Sequence, residues 1–352
     1  GHRIVFVNGQ YVPEHSDSFE QTDTLTIAPV RQLLEDADKE FVEQFSNSVP
    51  DHPDDITFAL NTMFVDDGVH VHVRRNESAP PACIHIIHYD TPSANRSWFA
   101  RNIVRVDEGA EIILVESYIG DDGVTVQSNS VTRVDVADGG HVEHIKLQQL
   151  NRDSLHLSTW LINLGAESRY NGFQYTTGAS VSRNQIFVEC AGREAEIQIN
   201  GAFLQNGAQH CDTRLWVNHI EPGCTSRELF KGVLDDTAKG IFQGKLIVKP
   251  EAQKTDGKQM AQALLLGDEA EFDSKPELEI FADDVACGHG STSGQIDEDL
   301  LFYLRSRGIG EREAKALLIT AFVGEAVEEL SQDEMRQFIQ GQTRDWLSEG
   351  WT

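Results

Sequence analysis

The sequence predicts a mainly β protein: stacked coils of short strands, with a short α/β segment before them and a helical module after. Three observations point there. From Val69 onward the chain runs as short segments rich in Val, Ile, Thr and Phe, such as Glu111–Val115 and Glu196–Asn200, a composition that suits a pleated, half-buried surface. The breaks between them resemble one another, and Gly109, Gly139, Gly165 and Gly192 recur at intervals of about 26 to 30 residues, with Gly267 after a longer gap. Past Gly294 the apolar spacing becomes helical. A loose repeat of this length suits a β-solenoid, in which each coil buries its inward side chains against its neighbours. A β-sandwich competes, although its turns should recur every 8 to 12 residues or so.

Residues 1–68 read as an N-terminal segment. Asn8-Gly9 lies between the apolar runs of Arg3–Val12, as a type I′ hairpin turn requires. Gly1-His2 reads as a cloning remnant, so the natural N-terminus is expected to be missing. Leu33, Leu34, Phe41, Val42 and Phe45 predict a short helix from Arg31 to about Asn47, and Ile56, Leu60 and Phe64 predict a second.

The β core is expected over residues 69–294 and the helical module over 295–352. Asp297 is a helix N-cap ahead of Leu300, Phe302 and Leu304, with Arg305 and Arg307 in the last turn and Gly308 as the stop. A second helix from Glu311 to Leu330 carries Leu317, Leu318, Ala321, Phe322 and Val327 on one face. A third, near Asp333 to Leu347, carries Met335, Phe338, Ile339 and Trp346.

Composition narrows the function. The 352 residues are 39% apolar and 24% charged, enough to bury a sizeable core. No run of about 18 uncharged apolar residues and no signal-peptide pattern appear, so a soluble, cytoplasmic protein is expected. The five cysteines, at 83, 190, 211, 224 and 287, are scattered, as suits reduced thiols rather than a disulfide framework. A formal charge of −28 repels polyanions, which argues against nucleic acid or anionic membrane as a partner. The acid excess, with 10 lysines against 19 arginines, suggests a high-salt cell.

The common catalytic fingerprints are missing: there is no P-loop, no G-x-G-x-x-G opening a helix after a strand, and no C-x-x-C, H-E-x-x-H or G-x-S-x-G. His70 and His72 alternate on a strand and share a face, whereas His85 and His88 do not. His141 and His144 flank a turn; neither histidine pair makes a strong metal candidate. The segment Phe281–Gly294 is different in kind. Cys287 and His289 stand two apart, so in extended chain they project from one face and can hold a soft or borderline metal ion together. Asp283 or Asp284 is a candidate acceptor to orient the imidazole. An incidental cysteine in a turn between two domains is the competing reading.

The run Asp283-Asp-Val-Ala-Cys-Gly-His-Gly290, followed by Ile296–Ile309, resembles the C-terminal signature of the SufB/SufD family, on its SufD side. Cys211–Arg214, Gly244–Val248, Lys254–Gly257, Lys275–Ile280 and the opening Arg3–Pro13 agree with it, so the resemblance spans nearly the whole chain. SufB-like sequences typically carry Glu-His-Glu-Ala where Cys-Gly-His-Gly stands here. Against the resemblance, the family's N-terminal helical region is expected to be truncated here.

The resemblance implies a right-handed parallel β-helix with a C-terminal helical domain. It also implies a non-catalytic scaffold for iron–sulfur cluster assembly, paired with a SufB-type paralogue through the β-helix and with a SufC-type ABC ATPase through the C-terminal helices. His289, and less directly Cys287, would act at the subunit interface. No cofactor is held stably; an iron–sulfur cluster or Fe(II) would be there only in transit. Leu317, Leu318, Ala321 and Phe322 are the expected ATPase-docking face. A SufB-like member of the same complex, a β-solenoid polysaccharide lyase or hydrolase, and a homodimer that covers the open coils are the alternatives.

Overall fold

The computed structural model describes residues 1–18, 22–36, 39–46, 55–76, 80–92 and 96–350. Its strands form two sheets. One holds β1 (His2–Val7), β2 (Gln10–Tyr11), β5 (Ala82–Asp90), β7 (Glu111–Gly120), β9 (His141–Gln148), β11 (Arg169–Thr176), β13 (Glu196–Gln205), β15 (Thr225–Leu234), β17 (Asp256–Leu265) and β19 (Ala286–Gly294). The other holds β3 (Leu25–Pro29), β4 (Val69–Val73), β6 (Arg96–Val106), β8 (Val126–Val136), β10 (Leu155–Leu164), β12 (Val181–Cys190), β14 (His210–His219), β16 (Lys239–Val248) and β18 (Glu271–Ile280).

The chain alternates between the two sheets, and neighbours within each are parallel. Leu155 stacks on Val181, Val181 on His210, His210 on Lys239 and Lys239 on Glu271. This is a parallel β-solenoid, and the regular parallel register excludes the antiparallel sandwich. Antiparallel pairing among the described residues occurs only near the N-terminus, where β1 meets β2 and β3 meets β4. The β1–β2 turn has Asn8 at φ 52° and Gly9 at φ 79°, both left-handed as a type I′ turn demands.

The repeated glycines are the coil corners. Gly109 and Gly139 are left-handed there, at φ 62° and 64°. Gly192 matters through space instead: a Cβ on it would lie 2.0 Å from the Ala166 backbone nitrogen, in the corner of the preceding coil.

Both faces of the first sheet are covered. Inward side chains such as Leu114, Val142, Tyr170, Ile197 and Phe230 join Val134, Trp160, Ile186, Leu215 and Phe242 of the second sheet in the central core. The outer face carries Ile145, Leu147, Phe173, Tyr175, Leu204 and Val233, and the C-terminal helices fold back onto it. These helices are α4 (Glu298–Ser306), α5 (Glu311–Val327) and α6 (Asp333–Gly350), and they follow α1 (Val30–Glu35), α2 (Lys39–Ser46) and α3 (Ile56–Phe64) in the chain. Ile319, Val323, Ala326 and Val327 of α5 and Ile339, Trp346 and Leu347 of α6 are buried in that contact. Asp297 caps α4 by accepting from the Asp299 and Leu300 amides at 2.9 and 3.0 Å.

The helix expected over Arg31–Asn47 is instead two helices, α1 and α2; Asn47 lies outside the described residues. The α1 segment closes at Asp36, whose amide turns back to the Gln32 carbonyl. α3 docks on the second sheet through Phe58, which joins Val131, Leu161 and Phe187. The Arg101 guanidinium sits 4.8 Å from the ring centres of both Phe45 and Phe58.

One buried acid gives a pH-dependent prediction. The Asp90 side chain is almost fully enclosed and accepts from the Trp98 indole at 3.0 Å, yet burial raises its pKa from the ordinary 3.8 to about 6. The folded value lies above the unfolded one, so stability is full below pH 3.8 and is lost as pH rises through 6. At neutral pH the loss has a ceiling of about 3 kcal/mol. Asp90→Asn is therefore expected to stabilise the protein in urea unfolding at pH 7 and to leave it unchanged near pH 4; equal effects at both values would refute this.

Candidate functional site

The two ends of the solenoid differ. At the N-terminal end the sheets finish on the short antiparallel strands β2 and β3. At the other end they finish on β18 and β19, of ten and nine residues, each with one edge unpaired among the described residues. Ile280, the last residue of β18, and Phe281 after it are 40% and 60% exposed, which leaves apolar surface beside those edges.

Cys287 and His289 both lie on β19. Cys287 pairs in register with Gly257 and His289 with Gln259, two positions on the buried face of β17, so the thiol and the imidazole share the inward-facing side of the last coil. No further coil covers them: Cys287 is half-buried beside Val248, Ala252 and Ala282, and His289 is exposed. A Cβ at 257 would meet Cys287 Sγ at an ordinary contact distance of 3.6 Å and Ser226 Oγ beneath more tightly, at 3.2 Å. Burial raises the Cys287 thiol pKa, partly offset by the Gly257 amide, so the sulfur stays protonated until a metal displaces the proton.

The layer beneath His289 is polar. Gln259 and, one coil further in, Glu228 are buried with no hydrogen bond to either side-chain oxygen or to the Gln259 amide nitrogen. Burial pushes the Glu228 carboxyl up to about 8, a neutral acid at physiological pH.

Several expectations from sequence change here. Asp284 accepts from the Lys254 ammonium and its amide donates to Gln253 Oε1, while Asp283 is exposed; neither bonds to His289. His72 is engaged with Asp107 at 2.9 Å and His85 with Ser117 at 2.8 Å. His141 and His144 do not flank a turn. Both lie within β9, and His144 is buried, its Nε2 3.6 Å from the Glu116 carboxylate. Of the four residues expected to dock an ATPase, Leu317 and Ala321 are exposed and Leu318 is half-buried. Phe322 packs inward, with the Lys231 ammonium 4.2 Å from its ring centre, and Val327 is buried.

Two interior groups had no sequence signal of their own. One is Glu116, His144 and Lys146, on the inward faces of β7 and β9. The other is Cys190, His219 and Cys224, whose donor atoms lie within 4.8 Å of one another. Only the coil-on-coil register brings either set together.

Family models match nearly the whole chain. The SufBD core domain of the SUF system for FeS cluster assembly matches residues 88–322, and the SufBD protein N-terminal region matches residues 1–82. The iron–sulfur cluster assembly protein SufD of Escherichia coli is 31% identical over 96% of this chain and 77% of its own length. The chain belongs to the SufBD family. Other relatives of this SufBD protein include an iron–sulfur cluster assembly SufBD family protein of Synechocystis, 29% identical over 97% of this chain and 78% of its own length. The chloroplastic protein ABCI7 of Arabidopsis thaliana is 31% identical over 67% of this chain and half of its own. The SufBD match agrees with the resemblance carried by the Cys287–His289 segment, and the parallel β-solenoid with C-terminal helices is the fold expected from it. Among the described residues, no helix is long and apolar enough to cross a membrane.

Proposed function

We propose that this SufBD-family protein is a non-catalytic scaffold subunit of iron–sulfur cluster assembly. In this reading its open β-helix end pairs with the matching end of a SufB-type paralogue, and Cys287 with His289 supplies part of a ligand set that the partner completes. The observation that carries it is the uncovered thiol–imidazole pair on β19, the last strand of its sheet. A neutral imidazole and a thiolate suit Fe(II), and a cluster needs up to about four ligands, more than this pair supplies. The half-exposed α4 and α5 surface, with Phe302 73%, Leu317 48% and Leu300 52% exposed, supports docking of a SufC-type ATPase on the helical module.

The test is reconstitution with the SufB-type and SufC-type partners, iron and a sulfide source. His289→Ala is expected to lower cluster content by about 10- to 100-fold while the complex still forms on gel filtration, and Cys287→Ser by less. Full cluster yield in the Cys287→Ser/His289→Ala double variant would overturn the site. Retention of the ATPase by a chain ending at Gly310 would overturn the α5 part of the docking surface.

A further inference from the structure

Cys190 closes β12 and His219 closes β14, and the two are register partners on adjacent coils. Cys224 stands in the corner that leads into β15. All three side chains are fully buried, and their donor atoms lie within 4.8 Å of one another. We propose that Cys190, His219 and Cys224 form a buried binding site for a thiophilic d10 cation, zinc(II) or copper(I).

The geometry favours an ion over mere packing. Cys190 Sγ and His219 Nδ1 are 3.6 Å apart. Donors at zinc–sulfur and zinc–nitrogen bond lengths, set at a tetrahedral angle, stand about 3.5 Å apart. His219 Nε2 lies 3.1 Å from Ser226 Oγ. A ring that donates its Nε2 proton to that hydroxyl keeps Nδ1 free of hydrogen and aimed at the sulfur, the arrangement by which an outer hydrogen bond fixes a metal-binding histidine. Cys224 Sγ is held at the corner 3.3 Å from the carbonyl oxygens of Gly192 and Glu221.

Two thiolates and one imidazole select soft and borderline ions over magnesium or calcium, which take oxygen ligands. On binding, each thiol loses its proton to solvent as the sulfur–metal bond forms, with no change of oxidation state. Because the site is sealed, the ion enters as the coils close, and it ties two successive coils together across a corner. This site is separate from the Cys287–His289 edge and does not depend on the reading given for it.

The full chain, reduced and anaerobic, is refolded from denaturant in the presence of zinc(II) or, in parallel arms, copper(I) or cobalt(II), passed over a desalting column and assayed for metal. Wild type and the Cys287→Ser/His289→Ala variant are expected to retain about one ion per chain, and Cys190→Ser and Cys224→Ser at least about tenfold less. Cobalt(II) should give wild type a thiolate-to-metal charge-transfer band in the near ultraviolet, a readout that needs no variant to fold. Metal retained by the Cys190→Ser/Cys224→Ser chain, no cobalt band in reduced wild type, or a Cys190–Cys224 disulfide that persists under reductant would each overturn the assignment.

Discussion

Glu116→Ala is expected to lower the unfolding free energy by about 3 to 5 kcal/mol, the cost of removing one partner from a buried charge pair. The carboxylate has no exposure and sits inside the coils. It accepts from the Tyr118 hydroxyl at 3.2 Å, the Trp160 indole at 3.4 Å and the Thr132 hydroxyl, and it faces His144 Nε2 at 3.6 Å. His144 above all, then the Thr132 hydroxyl and the Lys146 charge, outweigh burial and hold its pKa down at about 2, while burial brings the Lys146 ammonium down to about 7. Lys146 is left with Asn184 Oδ1 at 2.6 Å and no counter-charge once Glu116 is gone. Replacing both, as in Glu116→Leu/Lys146→Met, should recover much of the loss, because an apolar pair of similar volume needs no counter-charge. Urea unfolding measures all three chains; a loss below about 1 kcal/mol for the single variant would show that the network adds little.

Gly192→Ala should cost about 3 kcal/mol or more, at or beyond the upper end for overpacking. Its added methyl carbon would fall 2.0 Å from Ala166 N and 2.2 Å from Gly165 C, and those atoms belong to backbone that cannot rotate away. Gly207→Ala is the internal comparison. Gly207 has a left-handed φ of 60° but nothing within 4 Å of its missing Cβ, so only the conformational penalty of about 1 to 2 kcal/mol applies. Thermal unfolding in which the two variants lost the same stability would refute the stacked-corner argument.

The corners explain why the solenoid was legible in the sequence. Each coil closes through a left-handed corner, as at Gly109 and Gly139, or passes close over the corner below, as at Gly192, and both favour glycine, so most corners from Gly109 to Gly267 carry one. The shared face of Cys287 and His289 was legible for a similar reason, since strand alternation is local.

The interior was not legible. In His141–Gln148 the residues Ile145 and Leu147 look like the core and His144 and Lys146 like the solvent face. In the structure His144 and Lys146 point into the coil, while Ile145 and Leu147 lie beneath the C-terminal helices. With both faces buried, alternation no longer tells inside from outside. Cys190, His219 and Cys224 escaped notice because they meet only across a whole coil, at a spacing no short motif covers. The helical face of α5 was half-read: Phe322 and Val327 pack inward as part of it, but Ile319, Val323 and Ala326, which also meet the sheet, were not among the residues named, because helical periodicity does not say which side meets a sheet far upstream.

The contrast between the two solenoid ends limits how large an assembly can grow. A rod that accepts a neighbour at either tip adds units without end, whereas one that is blunted at one tip and receptive at the other stops when two receptive tips have met. With the short strands β2 and β3 at one tip and the longer β18 and β19 at the other, any joining through the longer edges would stop at a pair.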